Sequence, residues 1–403
     1  MVQKALSGVK ILEYCRSIGG AYTSKLMADL GAEVIKIESP ESGDEARKLD
    51  PFPGDVPHPE KSGLFFYLNC NKMGITLNPQ KVTGATIFKK LAEGADILIE
   101  DGMPGEMEDM DLGYETLKEL NPGLIVASIT PFGRSGPYRD YKAYQLNIAH
   151  VGGQAYLLPL PSPDLDRAPV KPGGHACEYD SAMVASVAIM AALFWKGITG
   201  KGQFIELSKQ EASMSMQRVE SVTYPNDGFN MSRLGGAFPQ PGGIMPCLDG
   251  YVVFVTAEEH QWSALMELLG NPEWSKSELC KDVFARSKHT QELNQLITDW
   301  TKQHTKEEIF RKGQALSVPV APVQSAEDIV HSEQLNTRGF FAAIEHPEIG
   351  KIKFPTSPYR FSKTPWQIGR FSPRLGEHNE EIFCKRLGYT RNDLVKLSES
   401  GII

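Results

Sequence analysis

The sequence predicts an α/β fold, a parallel sheet covered by helices, and three observations lead there. Short apolar runs alternate with amphipathic stretches between residues 9 and 130. Gly19-Gly20 stands between the first two of these runs, where a strand would turn into a helix. Farther on, residues 181–195 read SAMVASVAIMAALFW, without charge and almost without helix breakers. Such a run fits a core helix and is shorter than a bilayer span.

Taken in order, VKILEY (9–14) has a strand pattern, residues 22–30 form an amphipathic stretch ended by Gly31, and EVIKIE (33–38) is a second strand. Strand, glycine turn, helix and strand within about thirty residues make a βαβ unit of Rossmann type. The alternation continues with strand 74–78, helix 83–92, strand 95–101, helix 114–120 and strand 124–130. Repetition of this kind implies parallel pairing. The glycine pair reads GGAYTS and lacks the GxGxxG spacing, so a plain βα turn is favoured over a dinucleotide loop. Residues 234–250 are rich in Gly and Pro and lead into the strand YVVFVTA (251–257) and the amphipathic helices 261–269, 290–303 and 306–314. A smaller α+β domain over 225–330 follows from this change. VPVAPVQS (318–325) reads as a linker or ligand-facing strand, and the tail 376–403 as helical.

A net charge of −8, from 42 basic and 50 acidic residues, argues against a nucleic-acid partner held by a general basic surface. The six cysteines are widely spaced and show no metal-ligand pattern, so free, mostly buried thiols in a reducing cytoplasm are expected, with no metal site. Neither a signal peptide nor a membrane span is predicted. Two carboxylates, Glu178 and Asp180, stand at the mouth of the apolar helix, where unsatisfied N–H groups and the helix dipole favour an anion.

Several segments, in this order and spacing, carry a resemblance: LSGVKILEY, GAEVIKIESPESGDEAR, NCNKMGITLN, LNPGLIVASIT, TGKGQFIELSKQEA and the tail RLGEHNEEIFCKRLGY. Together they are similar to the class III CoA-transferases, the family of formyl-CoA and carnitine-CoA transferases. The resemblance implies a ring-shaped protomer interlocked with a second one, with a Rossmann-like large domain (1–224 and 331–403) and the small domain (225–330). It implies a carboxylate that attacks an acyl-CoA thioester, releases CoA as thiolate and holds the acyl group as a mixed anhydride for the acceptor acid. The CoA thioester is then a substrate, and no permanently bound cofactor is expected.

Counted back from Ala191-Ala192-Leu193, the family's catalytic Asp falls on Glu178. Asp180 lies two residues later, more than half a helical turn away. The resemblance further implies Lys72, Arg47, Gly19, Gly20, Asp101 and Phe132 around CoA, and Gln240, Gly242 and Gly243 as the loop facing the oxyanion. The chain departs from the family at Asp101-Gly102-Met103-Pro104-Gly105. Arginine is missing from this turn, and Glu106, Glu108 and Asp109 follow where phosphates would lie, so repulsion is expected. A related racemase activity needs a His-Asp pair, which residues 143–147 lack. His150 and His175 are the nearest histidines. If the acceptor is a dicarboxylate, Arg134, Arg218 or Arg233 is a candidate for its second carboxylate.

Three functions are consistent with these residues. The chain is the weakened or silent subunit of a heteromeric CoA-transferase with an Asp-bearing paralogue, like the two-subunit succinyl-CoA:(R)-benzylsuccinate members of anaerobic toluene breakdown. Alternatively it is a homodimeric transferase using Glu178, or an acyl-CoA racemase or binder.

Overall fold

Period-two alternation of apolar residues builds the centre of the molecule. The computed structural model describes residues 4–160, 164–216, 218–233, 239–346 and 349–403, without the side chains of 218–220. Six strands, β1 (Lys10–Tyr14), β2 (Glu33–Glu38), β3 (Lys72–Thr76), β4 (Ile97–Glu100), β5 (Ile125–Thr130) and β6 (Phe204–Ser208), form one sheet in the order β3-β2-β1-β4-β5-β6. All five pairings are parallel. Ile11, Val34, Ile97, Ile99, Ile125, Ala127 and Ile129 point to one face, and Leu12, Ile35, Leu98 and Val126 to the other. Both faces are therefore apolar, as a helix-covered parallel sheet requires.

The first face is covered by α1 (Ile18–Asp29), through Met27 and Ala28, and by a long helix at Ala176–Thr199, through Ala185, Ile189 and Ala192. α2 (Gly63–Asn69) stands before β3 and packs Phe65 and Leu68 with Ile18 and Ala21 of α1, while α3 (Val82–Glu93) covers the second face by placing Ile87, Phe88 and Leu91 against Leu12 and Leu98. The short helices α4 (Glu106–Asp109) and α5 (Tyr114–Leu120) follow β4. α6 (Gln145–Val151), α7 (Ala176–Thr199, the long helix) and α8 (Lys209–Ser215) complete the surroundings of the site. The tail adds a π-helix at Glu380–Arg386 and a helix at Arg391–Glu399, and so is not one continuous helical piece.

Several boundaries differ from the sequence reading. α1 begins at Ile18 because Ser17 caps it with its hydroxyl, so Gly19 and Gly20 lie inside the first helical turn and do not form the turn itself. β3 begins at Lys72, two residues earlier than its apolar run suggests. α7 has 24 residues and is the one helix among the described residues long and apolar enough to cross a membrane. Its packing on the sheet makes it a covering helix, but only along one stripe. Val187 and Phe194, on the opposite side, are 71% and 73% exposed.

The chain divides into two compact units. The first comprises Met1–Ala155, Lys171–Ser221 and Gly339–Ile403, and the second Tyr156–Val170 and Val222–Arg338. Residues 156–170 and 331–338 thus cluster with the second unit. That unit has an antiparallel sheet of β7 (Gly243–Cys247), β8 (Gly250–Phe254) and β9 (Val320–Pro322) in that order, packed on helices Glu259–Leu268, Thr290–Thr301 and Lys306–Ala315. Val320–Pro322 is therefore a paired strand, not a linker.

Candidate active site

The strand order reverses its direction of growth between β1 and β4, and in open α/β sheets the crevice outside the carboxyl ends of such strands holds the ligand. Asp101, just past β4, spans this crevice. Its Oδ1 accepts the Arg16 N–H at 2.8 Å and its Oδ2 the Ser17 N–H at 2.6 Å. Asp101 therefore fixes the β1–α1 connection, and both oxygens are used in doing so. The glycines serve the same close approach. A Cβ on Gly20 would lie 2.5 Å from Cys15 Sγ, and one on Gly19 would lie 2.8 Å from Glu178 Oε2. Packing by itself requires glycine at these two positions.

α7 runs antiparallel to the strands, so its N-terminus returns to the same edge. Glu178 sits in its first turn, and its Oε2 accepts the Gly19 N–H at 2.8 Å. The carboxylate thus lies at the N-termini of two helices, both of which favour negative charge. Lys209, the first residue of α8, completes the group. Its Nζ donates to Glu178 Oε1 at 2.9 Å, to Oε2 at 2.8 Å and to Ser17 Oγ at 3.1 Å. Asp180 points elsewhere and accepts from Gln154 Nε2 at 3.0 Å. Cys177, the residue before Glu178, donates to Gln154 Oε1, and burial pushes its thiol pKa up. Phe132 borders this region from β5, packed against the cluster of Ile148, Ala149, Ala155 and Cys177.

Lys72 and Arg47, expected around CoA, are instead consumed inside the protein. Lys72 Nζ donates to Glu13 Oε2 at 2.7 Å, to Ala21 O at 2.8 Å and to Asn69 Oδ1 at 2.9 Å, which uses all three ammonium hydrogens. Glu13 also pairs with Lys36 at 2.6 Å, and Lys36 with Asp44 at 2.5 Å, all within the interior. Burial alone would raise the Glu13 pKa, but the two ammonium groups hold it below the usual value. Burial pushes Lys72 down to about 8, with repulsion from Lys36 adding to it and the attraction of Glu13 opposing. Arg47 forms a two-bond fork with Glu38 at 2.7 and 2.9 Å, pairs with Glu60 at 2.7 Å and stacks 3.8 Å above the Phe65 ring.

A cavity of about 300 Å³ opens beside this network, lined by Tyr14, Arg16, Glu38, Ser42, Asp44 and Asn78 among others. The acids after β4 do not stand unopposed around it. Glu106 pairs with Arg16, and Glu108 with Arg134 at 2.5 Å. Glu106 and Glu108 are thus each offset by an arginine, and Arg16, half-exposed just past β1, is the basic group that stands by the Asp101–Gly105 turn. Deeper at the end of β4, burial raises the Glu100 pKa to about 7.

The loop expected to face an oxyanion lies in the second unit. Gly242 donates its N–H to Asn294 Oδ1 at 2.8 Å, so that donor is occupied; Gly243 opens β7, and Gln240 precedes both. Residues 234–238 lie outside the described residues. Among the candidate arginines, Arg233 donates to Leu165 O and Arg167 O, Arg134 is held by Glu108, and the Arg218 side chain is outside the description. His150 and His175 contact Leu146 O and Gln145 Oε1, and among the described residues neither is joined to a carboxylate.

The sequence reading missed Lys209, Ser17 and Arg16. The available signal was position: all three lie just past the carboxyl end of a strand, Lys209 directly after β6 and Arg16 and Ser17 shortly after β1, at the edge where α/β sheets gather ligand groups.

The model of CoA-transferase family III matches residues 6–379. This chain belongs to that family. Among its relatives, the formyl-CoA:oxalate CoA-transferase of Streptomyces coelicolor is 31% identical over the whole of both chains. The BbsE subunit of succinyl-CoA:(R)-benzylsuccinate CoA-transferase from Thauera aromatica is 30% identical over 95% of each. The crystal structure of a CAIB/BAIF family protein from Brucella suis aligns with a TM-score of 0.84 at 30% identity, covering 95% of this chain and all of the other. Membership makes this chain a CoA-transferase or a subunit of one, with CoA thioesters and carboxylic acids as the substrates that fit.

Proposed function

We propose that this chain binds an acyl-CoA at the carboxyl edge of the sheet and serves as the weakened or non-catalytic subunit of a heteromeric CoA-transferase. Its partner is a paralogue carrying Asp in the seat that Glu178 occupies here. The observation that carries this reading is the state of the Glu178 carboxylate: both oxygens are held by Lys209, and one also by the α1 N-terminus.

The reaction requires a carboxylate oxygen to attack the thioester carbonyl carbon. The C–S bond breaks, the electron pair leaves on CoA as thiolate, and the acyl group stays as a mixed anhydride until an acceptor carboxylate takes it. Glu178 has the functional group, but one more methylene than Asp, and displacement of about 1 Å can cost on the order of 100-fold. The relation to a two-subunit relative supports the heteromer, with a succinyl-CoA and dicarboxylate pair as the substrate class.

An interlocked protomer is supported by α7. Met183, Val187, Met190, Phe194 and Ile198 recur at helical spacing and form an exposed apolar stripe. Contiguous exposed apolar patches mark interaction surfaces.

A second reading, a homodimeric transferase acting through Glu178, is favoured by one observation: Oε1 has no donor besides Lys209 among the described hydrogen bonds. Assaying CoA transfer from succinyl-CoA to a dicarboxylate, with the chain alone and then with the Asp-bearing paralogue, separates the two. The proposal expects turnover only from the mixture. Full turnover by the chain alone supports the homodimer and contradicts the proposal.

A further inference from the structure

Lys209 is the residue on which the state of Glu178 depends. It is buried, and its three ammonium hydrogens match three acceptors, the two Glu178 oxygens and Ser17 Oγ. Its position is set by Ser208, whose hydroxyl caps α8 at the end of β6, so the ammonium is fixed by the sheet and not by a mobile surface stem. The other cations of the crevice have their own acids: Lys36 and Lys72 share Glu13, and Arg16 pairs with Glu106. Among the ion pairs of this region, Glu178 is the one acid facing Lys209.

We propose that Lys209 is a positioning residue that holds Glu178 through an ion pair and hydrogen bonds to both of its oxygens and thereby suppresses its acylation. This rests on the reading of Glu178 as the occupant of the nucleophile's seat. When a Glu178 oxygen bonds to the thioester carbon and CoA departs as thiolate, the side chain becomes a neutral anhydride. Its negative charge leaves with the sulfur. Lys209 keeps its proton and loses its counter-ion inside the protein, the costly half of breaking a buried pair. The N-termini of α1 and α7 act in the same direction, since each stabilises the charge that the reaction removes. Interactions stronger in the ground state than in the transition state slow the step. Replacing Lys209 with a neutral side chain of similar length removes the ion pair while leaving the carboxylate at the α1 N-terminus.

The test uses full-length protein with succinyl-CoA and hydroxylamine, which converts a glutamyl anhydride into a hydroxamate. The hydroxamate at Glu178 is counted by peptide mass spectrometry. Lys209→Met and Lys209→Gln are expected to raise the yield at least tenfold over the unchanged chain, whereas Lys209→Arg, which keeps the charge, stays at the unchanged level. A merely structural pair predicts no gain from any of the three. Yields at or below the unchanged level in variants that bind succinyl-CoA overturn the proposal, and a fall in yield assigns the ammonium to an assisting role instead. Failure of both neutral variants to fold also overturns it, because the pair is then a folding element. In all these outcomes the chain as an acyl-CoA binder stands. Absence of succinyl-CoA binding by the unchanged chain, measured by calorimetry, removes that reading and the proposal together.

Discussion

Gly19 donates its backbone N–H to Glu178 Oε2 across 2.8 Å, and the missing side chain at Gly19 is what allows the approach. A Cβ there would meet that oxygen at 2.8 Å and the Glu178 carbonyl oxygen at 3.2 Å. Gly19→Ala gains up to about 1 kcal/mol of helix propensity, but overcrowding of a packed contact costs about 1–3 kcal/mol. We expect a net loss near 1 kcal/mol, read as a lower urea midpoint, together with displacement of Glu178 from Lys209. An unchanged midpoint would show that α1 and α7 are less closely packed than described.

Glu13 joins β1 to β2 and β3 through Lys36 and Lys72, all three fully buried. Glu13→Gln leaves Lys72 without its counter-ion and Lys36 with Asp44 alone, and removal of one member of a buried network costs about 3–5 kcal/mol. Urea unfolding is the measurement. A loss below about 1 kcal/mol would mean that water reaches the network.

Glu100 gives stability a pH dependence with a definite sign. Its folded pKa, about 7, stands above the ordinary 4.5, chiefly through burial, with Asp101 adding repulsion and Ser128, the Gly102 N–H and Arg134 opposing. The folded state therefore holds the extra proton between those values. Its contribution is fully present below about pH 4.5 and is lost as pH rises through about 7, a span worth roughly 3 kcal/mol. Glu100→Gln removes this slope, so the variant is the more stable chain at pH 8 and nearly equal to the unchanged one at pH 4.5. Parallel pH profiles for the two proteins would contradict the assignment.

The apolar stripe on α7 gives an assembly prediction. Val187→Asp combined with Phe194→Asp places two charges on the exposed side, away from the packed stripe of Ala185, Ile189 and Ala192. Light scattering is expected to show a loss of the oligomer with the fold retained by circular dichroism. An oligomer that persists places the interface elsewhere.

The sheet was legible because its alternation is local. Ile11 and Leu12, or Ile97 and Leu98, face opposite sides by strand period alone, and the βα alternation implies the parallel pairing. Helical periodicity likewise separates Glu178 from Asp180, and the structure turns only Glu178 toward α1. What the sequence withheld is pairing at long range. Lys72 reads as a ligand group beside a strand until the strand starts two residues earlier and Glu13, 59 positions away, accepts its hydrogen bond. Arg47 is absorbed by Glu38 and Glu60 in the same way. Lys209 has no periodic or spacing relation to Glu178 at all. It meets it because α7 and β6 return to one edge of the sheet, a consequence of topology. The small-domain glycines show the converse: Gly242 fits an anion loop by composition, yet its N–H is taken by Asn294.

The most direct test of the account is a crystal structure of the chain with a bound, unreactive thioether or ketone analogue of an acyl-CoA. Glu178 in the nucleophile's seat predicts that the carbon replacing the thioester carbonyl lies about 3.5 Å from the Glu178 carboxylate, with the pantetheine entering at the carboxyl edge of β1 and β4. A bound analogue whose acyl end lies beyond reach of Glu178, against Asp180 or on another surface, would contradict it.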